Sequence, residues 1–212
     1  MNKSQFLNLL LGAVVIILGV KMIFFNNDSS STSNNSNPVL ENIYSRTSVR
    51  SYLQKNVEDE KIQQILKAGM SAPTAKNKQP WDFIVVKDKN TLKALSGALP
   101  NSKMTSKASV AIIACGNLHK AMDGVASQFW IQDVSAATEN ILLAAHGLNL
   151  GAVWTGVYPN DEWVKEIQKI LHLPEYVIPL NVIPIGYPSE SPSPKNKWKQ
   201  ENIHNEFWSD KK

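Results

Sequence analysis

The segment from Ser71 to Trp81 carries side chains and backbone groups suited to binding a flat heterocycle. It reads Ser-Ala-Pro-Thr-Ala-Lys-Asn-Lys-Gln-Pro-Trp and leads into an apolar run that ends at Val86. Its small and proline residues add little bulk, and its Asn and Gln amides supply hydrogen-bond donors and acceptors. These properties suit a flavin ring. The alternative is a surface turn between a helix and a strand, because Pro and Asn also favour turns.

A second candidate segment runs from Tyr44 to Tyr52 and has arginines at alternate positions. In an extended chain, Arg46, Ser48 and Arg50 lie on the same side. Two guanidinium groups flanking a hydroxyl can bind a phosphate, or a ring carbonyl that gains negative charge. The alternative is a solvated basic patch.

Two further segments lie in the C-terminal third of the chain. The segment from Gly151 to Pro159 reads as a short buried strand, in which Gly156 would let a ligand approach the backbone closely. The alternative is a strand that stops at a turn. The segment from Ile183 to Pro188 predicts a last strand, and a proline-stiffened tail then carries Lys195 and Lys197.

In this order and spacing, the four segments resemble the nitroreductase family of FMN-dependent oxidoreductases over roughly Asn42 to Trp208. The resemblance implies an α+β fold, with a central and mainly antiparallel sheet flanked by helices. It implies an entwined homodimer with two FMN sites at the interface, each built from both chains. It also implies ping-pong hydride transfer from NAD(P)H through FMN to a small-molecule acceptor, such as a nitroaromatic or a quinone.

The resemblance also assigns FMN contacts by position in each motif. The residues concerned are Arg46, Thr47, Ser48, Arg50, Pro73, Thr74, Asn77, Trp154, Thr155, Gly156, Lys195 and Lys197. In the family, the first four hold the phosphate, ribityl chain and pyrimidine edge. Pro73, Thr74 and Asn77 match residues that reach a flavin bound mainly by the other subunit. Trp154, Thr155 and Gly156 match residues whose backbone N–H groups approach the reactive edge of the isoalloxazine, and the two lysines bind the phosphate.

The sequence departs from the family pattern at two of these positions. Thr74 stands where Ser is commoner, which keeps the hydroxyl, and Lys197 stands where Arg is frequent, which replaces a bidentate fork by a point charge. Some members have a further phosphate-side lysine before the second strand. Either Lys103 or Lys107 would fill that position here.

Hydrophobic periodicity predicts the elements that position these residues. Helices are expected from Val57 to Gly69 and from Gln128 to Asn149, and strands at Phe83 to Lys87, Ser109 to Cys115, Ala152 to Thr155 and Leu180 to Ile185. The resemblance makes the long helix the central one, partly at the dimer interface, whereas the pattern alone fits an ordinary core helix. Leu118 to Ser127 is expected to be a mobile loop over the flavin. Phe129 and Trp130 are candidate substrate contacts, or core residues.

The N-terminus differs in composition from the rest of the chain. The apolar run from Phe6 to Phe25 is long enough to span a bilayer, although a cleaved signal peptide would look similar. We expect a membrane anchor in residues 1–25, an Asn/Ser-rich tether in 26–37 and the FMN-binding domain in 38–212. Because Lys3 precedes the run, the domain is expected outside the cytoplasm as part of a single-pass membrane protein. Nicotinamide cofactors are scarce there, so a quinol or a partner protein would have to supply the electrons.

Composition argues against several other functions. The chain has 22 basic and 18 acidic residues, a balance that does not point to nucleic acid as a partner. A single cysteine, Cys115, forms no intrachain disulfide, and the four histidines show no spacing typical of metal ligands. Two alternatives to a nitroreductase activity remain. One is a flavin-reductase or dehalogenase-type enzyme with a different donor, and the other is a membrane-tethered FMN-binding module without turnover.

Overall fold

The computed structural model of the protein describes residue 2 and residues 37–208. The chain separates into two compact units, residues 1–41 and residues 42–212, and every candidate site residue belongs to the second. The helices are α1 (Pro38–Ser45), α2 (Asp59–Met70), α3 (Lys89–Ala98), α4 (Phe129–Gly147) and α5 (Asp161–Leu171). The strands are β1 (Trp81–Val86), β2 (Val110–Asn117), β3 (Gly151–Ala152), β4 (Thr155–Gly156) and β5 (Val177–Gly186).

The five strands form one antiparallel sheet in the order β1-β2-β5-β3, and β4 also pairs with β5. All eight residues of β2 are buried, as are nine of the ten in β5. Such continuous apolar strands are expected where both faces of a sheet are covered. The predicted α+β class, with a mainly antiparallel sheet flanked by helices, is confirmed.

Two apolar cores lie on the two faces of the sheet. On one face, Ile65 of α2 and Ile141 of α4 pack in the same cluster as Ile112 of β2. On the other face, Leu95 of α3 and Ile167 of α5 share a cluster with Val182, among others. The sheet is therefore the middle layer of three, and its short strands β3 and β4 lie at one edge.

The strand predicted from Ala152 to Thr155 is wrong in one respect, because the ladder breaks at Val153 and Trp154. The carbonyl of Ala152 points away from β5 and accepts a hydrogen bond from the N–H of Val49. The next residue, Val153, lies opposite Pro184 in this register and would be the one to exchange hydrogen bonds with β5. Proline has no N–H to donate, so the ladder is interrupted there. It resumes where Thr155 lies opposite Val182.

The segment predicted as a loop over the flavin has an ordered start. The N–H of Leu118 donates to the carbonyl of Tyr176, and the ring of His119 stacks on that of Tyr176 at 3.7 Å between centroids. A short 3-10 turn, Gly124–Gln128, then leads into α4. Whether this loop moves over a flavin stays a prediction.

Within residue 2 and residues 37–208, no helix is long and apolar enough to cross a bilayer. On this finding we correct the prediction of a single-pass membrane protein with an extracytoplasmic domain. The segments on which it rested, Phe6 to Phe25 and the greater part of the Asn/Ser-rich tether, lie outside the described residues.

Candidate functional site

The arginine-containing segment runs extended along the free edge of β3. The N–H of Val49 donates to the carbonyl of Ala152 at 3.1 Å, and Val49 itself is buried. A Cβ at Gly151 would lie 2.5 Å from Cγ1 of Val49, so only glycine permits this close approach. With Val49 turned inward, the neighbouring Ser48 and Arg50 lie on the outer side, as the alternation predicted.

Tyr52 fixes the end of this segment. Its hydroxyl donates to the carbonyls of Val49 and Pro184, at 2.8 and 3.1 Å. Burial raises the pKa of this phenol well above its usual range, so the hydroxyl stays protonated and remains a donor. The side chain of Glu190 accepts from the N–H groups of Arg50 and Ser51, at 2.7 and 3.1 Å. The C-terminal half of the arginine segment is therefore held by hydrogen bonds from several directions.

A cavity of about 890 Å³ opens beside this segment, and we call it the cationic cavity. The predicted site residues that line it are Arg46, Thr47, Ser48, Arg50, Lys195 and Lys197. The exposed rings of Tyr44 and Trp198 also line it. The structure thus brings the C-terminal lysines to the arginines, although about 150 residues of sequence separate the two groups.

Two titratable residues of α4 lie near Arg46, and one of them, Glu139, lines the cationic cavity. The Nε of Arg46 lies 3.6 Å from Oε1 of Glu139, with the Arg46 side chain 16% exposed and that of Glu139 50% exposed. His146 Nε2 lies 2.9 Å from Oγ of Ser45. Burial, followed by the positive charge of Arg46, lowers the pKa of His146 below its usual range, so this imidazole favours the neutral form.

A second cavity of about 840 Å³ lies at β4 and at the two residues that precede it, and we call it the tryptophan cavity. Its lining includes Arg50, Lys103, Lys107, Trp154, Thr155, Gly156 and Trp163. Arg50 lines both cavities, so the two adjoin at this residue. Both candidate lysines, Lys103 and Lys107, line the tryptophan cavity rather than the cationic one.

The wall formed by β4 offers open backbone to a ligand, with a buried hydroxyl behind it. A Cβ placed on Gly156 would meet no heavy atom within 4 Å, so this glycine faces open space in the cavity. Oγ1 of Thr155 is buried and has no hydrogen-bond partner within the part of the chain that the structure describes. A ring lying against this wall would meet bare backbone at Gly156, in a cavity that Arg50, Lys103 and Lys107 also line.

The loop from Ser71 to Trp81 is not part of either cavity. Its predicted contacts Pro73, Thr74 and Asn77 line neither of them. Asn77 is exposed, and Thr74 is half-buried. One chain therefore groups nine of the twelve predicted FMN contacts and leaves these three apart from them.

The two aromatic residues at the start of α4 differ sharply in exposure. Phe129 is 43% exposed, whereas Trp130 is 3% exposed and packs edge-on against Tyr158. A Cβ on Gly116 would lie 2.2 Å from Cε3 of Trp130, so β2 and α4 meet at this indole. The structure thus places Trp130 in the core, and only Phe129 offers a surface to a substrate.

The remaining reactive side chains give no sign of a second chemistry. Burial raises the pKa of the Cys115 thiol to about 12, which keeps it protonated. Among residue 2 and residues 37–208, no group of three or more His, Cys, Asp or Glu residues could hold a metal ion.

Three residues that line a cavity or hold one of the predicted site segments were not identified from the sequence. Trp163 comes from α5, whose first turn is capped by the side chain of Asn160. Glu190 orients the arginine segment from 139 and 140 residues away. Asp133 accepts a hydrogen bond from the N–H of Ala75. Of these three residues, only Asp133 gave a signal in the sequence, because it is a charged residue among the apolar positions of the predicted long helix.

Comparison with known proteins agrees with this architecture. A model of the nitroreductase family matches residues 43–99 and 96–187. The chain therefore belongs to the nitroreductase family. A protein of Methanothermobacter thermautotrophicus named "Putative NADH dehydrogenase/NAD(P)H nitroreductase" is 44% identical over 170 residues, which cover 80% of this chain and 87% of that protein.

Solved structures show the same relationship. A protein of the same name from Bacteroides thetaiotaomicron is 46% identical, with a TM-score of 0.77, and the match covers 82% of this chain and 99% of that one. A "putative nitroreductase in complex with fmn" from Desulfovibrio desulfuricans is 31% identical, with a TM-score of 0.70 and coverage of 82% and 99%. The predicted class, an FMN-dependent oxidoreductase linked to NAD(P)H, is confirmed at the level of the family.

Proposed function

We propose that the protein is an FMN-dependent oxidoreductase that takes hydride from NAD(P)H and passes it to a small-molecule acceptor such as a nitroaromatic or a quinone. The observation that carries the proposal is the junction of the cationic and tryptophan cavities at Arg50. A ligand with a phosphate at one end and a flat ring at the other fits this junction, since one cavity supplies cations and the other an open backbone wall.

The residues of the cationic cavity would hold the phosphate and ribityl chain. Arg46 presents a planar fork to phosphate oxygens, and Ser48 adds a hydroxyl. Lys195 and Lys197 add point charges from the exposed C-terminal tail. The ion pair with Glu139 engages Nε of Arg46, which leaves the outer nitrogens of the guanidinium for the ligand.

The residues of the tryptophan cavity would orient the ring. Bound FMN supplies reversible two-electron hydride transfer. Arg50, Lys103 and Lys107 line this cavity, and their positive charge would stabilise an anionic reduced ring at its pyrimidine edge. The N–H of Gly156 would hold the reactive nitrogen in register, because Thr155 lies opposite Val182 in the ladder and its own N–H faces β5.

The proposed active unit is a homodimer. Pro73, Thr74 and Asn77 line neither cavity in one chain, yet they match a motif that the resemblance assigns to the flavin. A second copy would bring this loop to the ring and complete the site. Phe129 of this chain, exposed at the start of α4, would then contact the acceptor.

Reconstitution with FMN tests the proposal. The full-length protein is incubated with FMN, desalted and assayed for bound flavin per chain, then mixed without oxygen with NADH or NADPH. We expect one FMN per chain, bleaching of the flavin absorbance by at least one nicotinamide, and its return when a nitroaromatic or a quinone is added. Bound FMN that neither nicotinamide reduces would contradict the proposal.

A further inference from the structure

We infer that Asp133 is a positioning residue for the loop from Ser71 to Trp81, here called the flavin loop, and that it acts through the backbone N–H of Ala75. The inference rests on the proposed function, which puts Thr74 and Asn77 of this loop at the FMN of a second copy of the chain.

The backbone of the flavin loop is held in an unfavourable conformation. Lys76, Asn77 and Gln79 have φ values of 48°, 54° and 49°. Left-handed backbone is disfavoured for residues that carry a Cβ, and three such residues within four positions need contacts that hold them there. Backbone of this kind concentrates where a site needs a fixed shape.

Two kinds of contact hold the loop. Within it, the N–H of Gln79 donates to Oγ1 of Thr74 at 3.1 Å, and Nε2 of Gln79 donates to Oδ1 of Asn77 at 2.9 Å. From the body of the protein, Oδ1 of Asp133 accepts the N–H of Ala75 at 3.0 Å, and the N–H of Asn117 donates to the carbonyl of Pro80 at 2.8 Å near the far end of the loop. Asp133 therefore contacts the loop between Thr74 and the left-handed residues.

The burial of Asp133 distinguishes this contact from an ordinary surface hydrogen bond. Asp133 is 6% exposed and adjoins Val134, which is fully buried in the core. A carboxylate in such surroundings is costly unless it is hydrogen-bonded, and an apolar residue of similar size would pack there without that cost. Since eight residues of α4 are buried in the core, this carboxylate fixes Ala75 relative to the core.

Two substitutions separate the hydrogen bond from the packing. Asp133→Asn keeps an acceptor oxygen for the Ala75 N–H, whereas Asp133→Leu fills the space and removes the acceptor. We expect Asp133→Leu to keep or raise the melting temperature, while FMN binding weakens about tenfold, the scale of a lost hydrogen bond to a charged group. Asp133→Asn should bind FMN close to the unaltered protein.

A second readout does not depend on FMN. The flavin loop contains two exposed lysines, Lys76 and Lys78, which trypsin can cut when the loop opens. In the full-length protein without FMN, mass spectrometry of the fragments should show several-fold faster cleavage at these sites for Asp133→Leu, and unchanged cleavage for Asp133→Asn.

Asn140→Leu is the matched control. Asn140 is also on α4, and its Nδ2 donates to the carbonyl of Ala68 on α2 rather than to the flavin loop. We expect this variant to leave loop cleavage and FMN affinity unchanged.

Equal cleavage and equal FMN affinity in Asp133→Leu and the unaltered protein would overturn the inference, as would a loss of FMN that merely follows a loss of melting temperature. If the unaltered protein bound no FMN, the proposed function would fail, while the cleavage rates would still decide whether Asp133 holds the loop.

Discussion

Arg46 is the residue we expect to contribute most to the proposed phosphate contact, because its side chain is mostly buried at the wall of the cationic cavity. We predict that Arg46→Ala weakens FMN binding by about 1.5–3 kcal/mol, the range for a hydrogen bond to a charged group. Lys197→Ala should cost less and depend more on salt, since a lysine on the exposed tail is better solvated. Fluorescence titration with FMN at low and high salt measures both.

Lys199→Ala is the control for these titrations. Lys199 is exposed on the same tail but lines neither cavity. It should leave the dissociation constant for FMN unchanged. Equal affinity in the Arg46→Ala variant and the unaltered protein would mean that the phosphate does not bind in the cationic cavity.

His146 gives the protein a pH dependence of known sign. Its pKa is lowered in the folded state, by burial and by Arg46, whereas the unfolded chain takes up a proton near the ordinary value of about 6.5. Between the two values the unfolded state binds more protons, so stability falls as pH decreases through this window. We predict that the melting temperature of the unaltered protein drops more between about pH 7.5 and about pH 5 than that of His146→Gln. Parallel curves for the two proteins would contradict this prediction.

At the residue scale, the sequence was most informative where the signal is local. Alternation along an extended segment puts Arg46, Ser48 and Arg50 on one side whatever the rest of the fold does. The role of Asp133 could not be predicted in this way, because its contact with Ala75 joins residues 58 positions apart. The position of Trp130 was equally undetermined, since an aromatic residue at the start of a helix fits either a core or a binding surface.

At the scale of elements, periodicity predicted α2, α4 and the central strands to within a few residues at each end. It could not predict the break between β3 and β4. That break depends on Pro184, which lies on another strand about 30 residues later, and on the register that sets it opposite Val153. The interruption matters for the site, because Trp154 lies in it and lines the tryptophan cavity.

The contact between β2 and α4 supplies a prediction at this scale. A methyl group at Gly116 would lie within 2.8 Å of three atoms of the Trp130 ring, so the indole or the helix must shift. We predict that Gly116→Ala destabilises the protein by about 1–3 kcal/mol, the usual cost of overpacking. The urea midpoint measures the change. Gly97→Ala is the control, because a Cβ there meets nothing within 4 Å and alanine favours a helix.

Gly116→Ala also decides how Trp130 is used. If the variant were as stable as the Gly97→Ala control, the indole would be free to move away from β2, and a substrate contact by Trp130 would regain support. A clear loss of stability would fit the core position that the structure gives it.

At the scale of the whole molecule, the proposed site is complete only in a dimer. Two variants can each disable one half of it: Arg50→Glu reverses a charge shared by both cavities, and Thr74→Glu puts a carboxylate into the flavin loop. Each alone should abolish FMN binding at both sites. We predict that mixing the two proteins, with exchange of subunits, restores FMN to about half of the sites in each mixed dimer, because one site then receives both lesions and the other neither.

Flavin content and size-exclusion chromatography of the mixture test this directly. No recovery of FMN in a mixture shown to contain mixed dimers would mean that one chain supplies the whole site. The shared site would then be wrong, although the cavities and the family assignment would stand.

Gly156→Leu tests the central claim, that the flavin ring lies against β4. A Cβ at Gly156 meets no protein atom within 4 Å, so a leucine there fills the tryptophan cavity without disturbing the fold. Gly97→Leu is the matched control, on an equally open surface of α3. The measurement is bound FMN per chain after desalting, alongside the melting temperature. We predict an unchanged melting temperature for both variants, with normal FMN content in Gly97→Leu and no bound FMN in Gly156→Leu. A folded Gly156→Leu protein with one FMN per chain would contradict the account.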